Sequence, residues 1–162
     1  MEIERKWLVT GWPAGLAETS RYKMRQGYIA LRPTVRIRSE EKIGGPVRYV
    51  LCFKGKGGLA REEIETDISP ELFARLEAFI GRPLVEKQQR RYALGGGLSL
   101  EVNWVDAGEK SEFLYAEVEF ESEKQAHAWQ PQGVLAAYLD QEVTDTPGQS
   151  MGAYWEKTRL GD

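Results

Sequence analysis

One cysteine, Cys52, and one histidine, His127, are all that the 162 residues contain of either type. A lone thiol excludes a disulfide within the chain and a cysteine-ligated zinc cluster; a lone imidazole excludes the usual catalytic triads and His-rich metal sites. No apolar run approaches the roughly 18 residues of a membrane span, and no signal-peptide core stands before the first polar alternation. Neither secretion nor membrane insertion is indicated, so the cytoplasm is the expected compartment. Net charge is only −3, which offers nucleic acid or an anionic membrane nothing to bind. Chemistry must therefore come from Glu, Asp, Lys, Arg and Tyr, and carboxylates select hard, oxygen-loving cations such as magnesium or manganese. The length suits a single domain over residues 1–162.

What is abundant is charge in alternation. In an extended strand Glu2, Glu4 and Lys6 share one face, opposite Ile3 and Trp7. The two carboxylates then stand roughly 6–7 Å apart and repel by about 2 kcal/mol unless a cation lies between them. Leu16 to Arg25 reads as a short helix or an irregular connection. Arg36 and Arg38 share a strand face; Gly44-Gly45-Pro46 turns the chain, and Arg48 to Lys54 returns with Val50, Cys52 and Lys54 in one row. Arg61, Glu63 and Glu65 line one side of the next strand. Ser69, Pro70 and Gly81 bracket an amphipathic helix carrying Leu72, Phe73, Leu76, Phe79 and Ile80. Leu84 to Leu94, with Lys87, Gln89 and Arg91 in a row, turns at Gly95-Gly96-Gly97 into Leu98 to Val105. Leu114 to Phe120 sets Glu117 and Glu119 on one face. Ser122 and Gln125 form a capping box for a short helix. Two helical pieces are expected between Gly133 and Arg159, separated at 144–148.

The rows hold seven acids (Glu2, Glu4, Glu63, Glu65, Glu101, Glu117, Glu119) and seven bases (Lys6, Arg36, Arg38, Lys54, Arg61, Lys87, Arg91). They could be the wet faces of ordinary antiparallel sheets, which alternate polar and apolar by default. Two features favour binding instead. Signs cluster within rows, where a solubilising surface intersperses them. Arginine also prevails among the bases, and its planar fork suits bidentate phosphate contacts. If the strands close into a barrel with these rows inward, the carboxylates converge on a divalent cation and the bases on a polyanion.

Glu2-Ile3-Glu4-Arg5-Lys6 resembles the Glu-x-Glu-x-Lys signature of the CYTH superfamily, the triphosphate tunnel metalloenzymes, which includes inorganic triphosphatases, thiamine triphosphatases and class IV adenylate cyclases. Gln26-Gly27-Tyr28, Arg36-x-Arg38, Lys54-Gly55, Arg61-x-Glu63-x-Glu65, Ala116-Glu117-Val118-Glu119 and Glu142-Val143-Thr144 resemble later family motifs in family order.

The resemblance implies an α+β fold: an eight-stranded antiparallel barrel with a charged tunnel and flanking helices. It implies metal-dependent hydrolysis of a triphosphate, with inorganic tripolyphosphate first. An adenylate cyclase, a thiamine triphosphatase or a non-catalytic polyphosphate binder are the alternatives. By analogy Glu2, Glu4, Glu117 and Glu119 would hold magnesium or manganese ions, while Lys6, Arg36, Arg38, Lys54, Arg61, Lys87 and Arg91 would grip the triphosphate. Tyr28 and Lys54 would assist proton transfer, Glu2 would orient the attacking water, and Lys6 would act at the reacting phosphate. Two positions depart from the pattern. Asn103 stands where a metal-binding Asp is common, and Gln89 where a Lys is common, with Lys87 able to substitute from one pleat away. The expected partner is a triphosphate-containing small molecule; outer strand faces left exposed could support a homodimer. Cys52 reads as buried filler, His127 as surface, and Tyr154 with Trp155 as packing for one end of the barrel.

Overall fold

The computed structural model describes residues 1–161. Its strands are β1 (Glu2–Val9), β2 (Ala17–Leu31), β3 (Thr34–Lys42), β4 (Val47–Lys54), β5 (Ala60–Arg61), β6 (Glu63–Asp67), β7 (Val85–Gly95), β8 (Leu98–Val105), β9 (Phe113–Glu119) and β10 (Gln141–Glu142). The helices are α1 (Pro70–Ile80), α2 (Glu123–Ala128), α3 (Val134–Tyr138) and α4 (Met151–Trp155), which runs on into a π-helical turn over Glu156–Leu160. No helix among the described residues is long and apolar enough to cross a membrane.

All pairings are antiparallel, in the order β10-β1-β9-β8-β7-β2-β3-β4-β6, and β5 returns to β1 through Glu2 opposite Arg61. Only Glu62 separates β5 from β6, so the two are halves of one interrupted strand that closes the ring. Counted this way, eight strands form the barrel, as expected. The short β10 is an addition; it pairs with β1 at Trp7 and Leu8, where β1 has run past β5 and would expose an unpaired edge.

One expectation fails. Residues 17–25 are neither helix nor irregular, because β2 is a continuous strand of 15 residues. Its first half is too polar to announce itself, since neither face is buried in an apolar core. Long partners on both sides hold it extended: Ala17 to Gln26 pair with β7, and Tyr22 to Leu31 with β3.

Apolar strand faces point outward and lie under the helices. Ile3, Trp7, Leu100, Val102, Ala116 and Val118 pack beneath Ala126 of α2, Leu135 of α3 and Leu139 just after it. Arg5 fastens that layer: it donates to the Ala126 and Trp129 carbonyls at 3.0 and 2.7 Å, and its guanidinium lies over the Trp7 and Trp129 rings. A second cluster joins Phe73 of α1, Ile37, Leu84, Val85, Val105, Tyr28, Tyr115 and Trp155 at one end of the barrel. Helix α1 begins as its sequence signals require, with Ser69 Oγ accepting from the Leu72 N–H and Gly81 ending it in the left-handed conformation at φ 68°. Ser122 caps α2 by accepting from the Gln125 N–H, while the Gln125 side chain reaches one residue further back and accepts from the Glu121 N–H; His127 is exposed.

Candidate active site

The period of two along each strand turns the charged rows inward, around a cavity of about 1320 Å³ that runs the length of β3 from Thr34 to Lys42. Strand order then sorts the signs. Adjacent strands β1, β9 and β8 contribute Glu2, Glu4, Glu117, Glu119 and Glu101, making one acidic wall. Strands β7, β3 and β4 contribute Lys87, Arg91, Arg36, Arg38 and Lys54, making a basic wall, with uncharged Tyr22, Met24 and Tyr28 of β2 between them. Lys6 and Arg61 stand at the acidic side, and Glu40, Glu63 and Glu65 at the basic side.

The walls meet in one ion pair, Lys54 with Glu2 at 3.2 Å, and are otherwise not neutralised by each other. Among the described residues, Lys6, Arg36, Arg61, Lys87 and Arg91 form no ion pair within 4.0 Å, and neither do Glu4, Glu101, Glu117 or Glu119. The Nε atoms of buried Arg36 and Arg61 have no hydrogen-bond partner. Leaving buried charges unpaired costs several kcal/mol each, so the arrangement is explicable only if ligands complete it.

Burial, followed by the charges of Glu117 and Glu2, holds the Glu4 carboxyl well above the usual carboxylate range, and Glu4 shares a hydrogen bond with Glu117. Burial also raises Glu101 and Glu119. Glu2 differs. Burial opposes its charge most strongly, but Lys54 Nζ, at 3.2 and 3.3 Å from its two oxygens, a hydrogen bond from Glu63 and the charge of Arg61 together outweigh that and keep its carboxyl below the ordinary value. Neighbouring Glu63 is shifted the other way, raised by burial and then by its hydrogen bond to Glu2. Arg38 bonds Glu40 at 2.7 Å. Lys87 is fully enclosed; burial and then Arg38 push its ammonium well below the usual lysine range, and Nζ donates to Tyr115 Oη at 2.5 Å. Lys6 Nζ donates to the Gln149 carbonyl at 2.5 Å. Tyr28 Oη accepts from Gln26 Nε2 at 3.2 Å.

Every charged residue expected at the site lines the cavity, as does Tyr28; Asn103 does not. Its Oδ1 accepts from Gln89 Nε2 at 2.9 Å, and the two residues are direct cross-strand partners. The departures at positions 89 and 103 are thus one change. Where a Lys and an Asp would face each other, this chain places a Gln and an Asn, and Gln89 in turn accepts from Arg91 Nε at 2.8 Å. The acid on the wall at β8 is Glu101, directly opposite Glu117. Its presence in the charged row was legible; its role beside Glu117 depends on register. Tyr115, on the same face as Glu117, and the strap from Val143 to Ser150 also line the cavity. Thr144 Oγ1 accepts from the Lys6 N–H at 2.9 Å and donates to Glu142 at 2.7 Å, stitching the strap to β1. Glu142-Val143-Thr144 stands out as a motif in the sequence, but its contact with β1 depends on the tertiary structure. Cys52 is buried off the cavity wall, where burial pushes its thiol up.

The acidic wall suits a hard divalent cation. It offers only carboxylate oxygens, several of them without a cation partner, and burial with the neighbouring charge of Glu117 holds Glu4 well above the usual carboxylate range.

A barrel that turns its charges inward, with acids and bases on opposite walls, defines a protein that receives a polyanion together with cations. The comparisons agree. An inorganic triphosphatase from Nitrosomonas europaea is 35% identical over 144 residues, 89% of each chain. The crystal structure of an inorganic triphosphatase superposes with TM-score 0.62 at 29% identity, covering 95% of this chain and 93% of that one. A Hippeastrum adenylyl cyclase with dominant triphosphatase activity shares the fold at TM-score 0.54 and 16% identity, over 78% of this chain and 83% of its own. No protein-family profile matches the sequence. The chain belongs to the CYTH superfamily, the triphosphate tunnel metalloenzymes, with an inorganic triphosphatase among its relatives.

Proposed function

We propose that the protein is a metal-dependent phosphohydrolase that cleaves inorganic tripolyphosphate to pyrophosphate and orthophosphate within the barrel. The observation that carries this reading is the incompletely neutralised cavity, in which Lys6, Arg36, Arg61, Lys87 and Arg91, and Glu4, Glu101, Glu117 and Glu119, line the wall without an ion pair. The inorganic triphosphatase relative directs the choice of substrate.

Arg36, Arg38, Lys54, Lys87, Arg91 and Lys6 bind the phosphate oxygens, the arginines as planar forks. Magnesium or manganese would be held by Glu4, Glu117 and Glu119, with Glu2 and Glu101 adjacent, and would supply charge neutralisation and a polarised water. Glu2, kept ionised by Lys54, orients the attacking water and accepts its proton. Lys54 lies between Glu2 and the basic wall, placed to stabilise charge on the phosphoryl group, and Tyr28 closes the cavity nearby. Positioning and electrostatics carry the catalysis, because phosphoryl transfer asks little covalent chemistry of a protein. A non-catalytic binder was attractive only for a missing ligand at Asn103, and that side chain is engaged with Gln89.

The test is phosphate release from tripolyphosphate with magnesium or manganese, lost in Lys6→Ala and Glu4→Ala. Absence of release from every triphosphate offered with either metal overturns the reading. Formation of cyclic AMP from ATP would assign the site to a cyclase instead.

A further inference from the structure

Tyr115 belongs to none of the matched motifs, yet two of the cavity's cations meet on it. The Lys6 ammonium lies 4.4 Å from its ring centroid, and the Lys87 ammonium lies 5.1 Å from the same ring while donating to Oη at 2.5 Å. The ring is almost fully buried and lines the cavity. Behind it lie Phe113, Val85 and Val105, so charge ends at this layer and apolar packing begins. Two long lysine chains from strands that do not adjoin would otherwise repel and spread. The ring face attracts the Lys6 ammonium and the hydroxyl oxygen holds Lys87, and neither contact neutralises its lysine as a carboxylate would.

From these contacts we infer that Tyr115 is the positioning residue that pairs Lys6 with Lys87 into a single grip for one phosphate group in the cavity. The inference rests on the triphosphatase reading above and deepens it. Phosphate oxygens replace the Gln149 carbonyl on Lys6, while the ring and Oη keep both ammonium groups aimed at the same group. A negatively charged side chain at this position would cancel the grip, and an aliphatic one would release it. Tyrosine does neither.

Two variants test the inference. Tyr115→Phe keeps the ring and removes the acceptor for Lys87; Tyr115→Leu removes both. The expected results are a KM for tripolyphosphate raised about threefold in the first and about tenfold or more in the second, the size expected for desolvated cation–π contacts and a charge-assisted hydrogen bond. The rise in KM should exceed any fall in kcat, and thermal melting should show both variants folded. A purely structural Tyr115 would instead lower the active fraction, reducing kcat with KM unchanged, and that result overturns the inference. If Tyr115→Leu fails to fold, Tyr115→Phe decides: an unchanged KM overturns the inference and a raised KM supports it. In a Lys6→Ala background, where turnover is lost, the penalty of Tyr115→Leu on the dissociation constant for tripolyphosphate, read by calorimetry, should be smaller than in the wild-type background, since one of its clients is gone; full additivity also counts against the pairing. Wild-type protein that neither binds nor cleaves tripolyphosphate would overturn the triphosphatase reading itself, whatever the variants do.

Discussion

The Glu4 carboxyl sits well above the ordinary value of 4.5 because of burial first and Glu117 second. A carboxyl raised on folding keeps a proton that the unfolded chain releases near 4.5. The group therefore costs nothing below that pH and erodes stability as pH rises through its raised value. In chelator, the melting temperature should fall with pH over that window, and Glu4→Gln should flatten the slope and raise stability at neutral pH. The same substitution should lower kcat/KM at least 100-fold, about 2.7 kcal/mol of transition-state stabilisation. A site built for ligands gives up stability in their absence. The Gln89–Asn103 pair makes a second prediction. Asn103→Asp alone buries a carboxylate against an amide and should destabilise the fold by about 3 kcal/mol. Adding Gln89→Lys should recover most of that loss in a chemical denaturation series. Were Asn103 simply a weakened metal ligand, the single change would raise metal affinity without needing its partner.

Strand β2 shows what an element contributes here beyond its own residues. Its Gly27 lies where α1, Leu84 and the end of α4 all press on the barrel. A Cβ there would come within 2.4 Å of Leu84 Cδ2 and 3.3 Å of Trp155 Cη2. The close approach lets Trp155 pack beside Tyr28, their ring centroids 5.7 Å apart. Gly27→Ala should cost about 1–3 kcal/mol from overpacking, read by denaturant unfolding, and should lower activity by shifting Tyr28. Behind α4, the π-helical turn is locked by Arg159, which donates to Asp106 Oδ2 at 2.7 Å and to the Leu84 carbonyl at 3.2 Å. Asp106 also accepts from Tyr154 at 2.5 Å and from the Glu86 N–H at 3.1 Å. That network holds α4 and its buried Trp155 against the barrel.

For the molecule as a whole, the separated walls predict coupled binding. Tripolyphosphate or magnesium alone compensates one wall and leaves the other strained, whereas together they complete both. Saturation near 100 times the dissociation constant should add about 2.7 kcal/mol, which for a domain of this size is roughly 5–10 °C in melting temperature. The shift with both ligands should exceed the sum of the separate shifts in a thermal melt. Raising ionic strength should reduce it only modestly, because the charges are enclosed. Shifts that merely add would mean that the walls act independently.

Alternation along each strand determined which residues share the interior, and it did so from the sequence alone, because side-chain direction in a strand has a period of two. The caps of α1 and α2 and the turns at Gly44 and Gly95 were equally local and equally legible. Residues 17–25 were not, since a strand with no apolar face is held by its neighbours rather than by its own pattern. Only the tertiary structure placed β1, β9 and β8 side by side so that acids gathered on one wall, set Asn103 against Gln89, and brought Lys6 and Lys87 to one ring. Those relations depend on strand order and register, which join residues far apart in the chain, and no local pattern carries them.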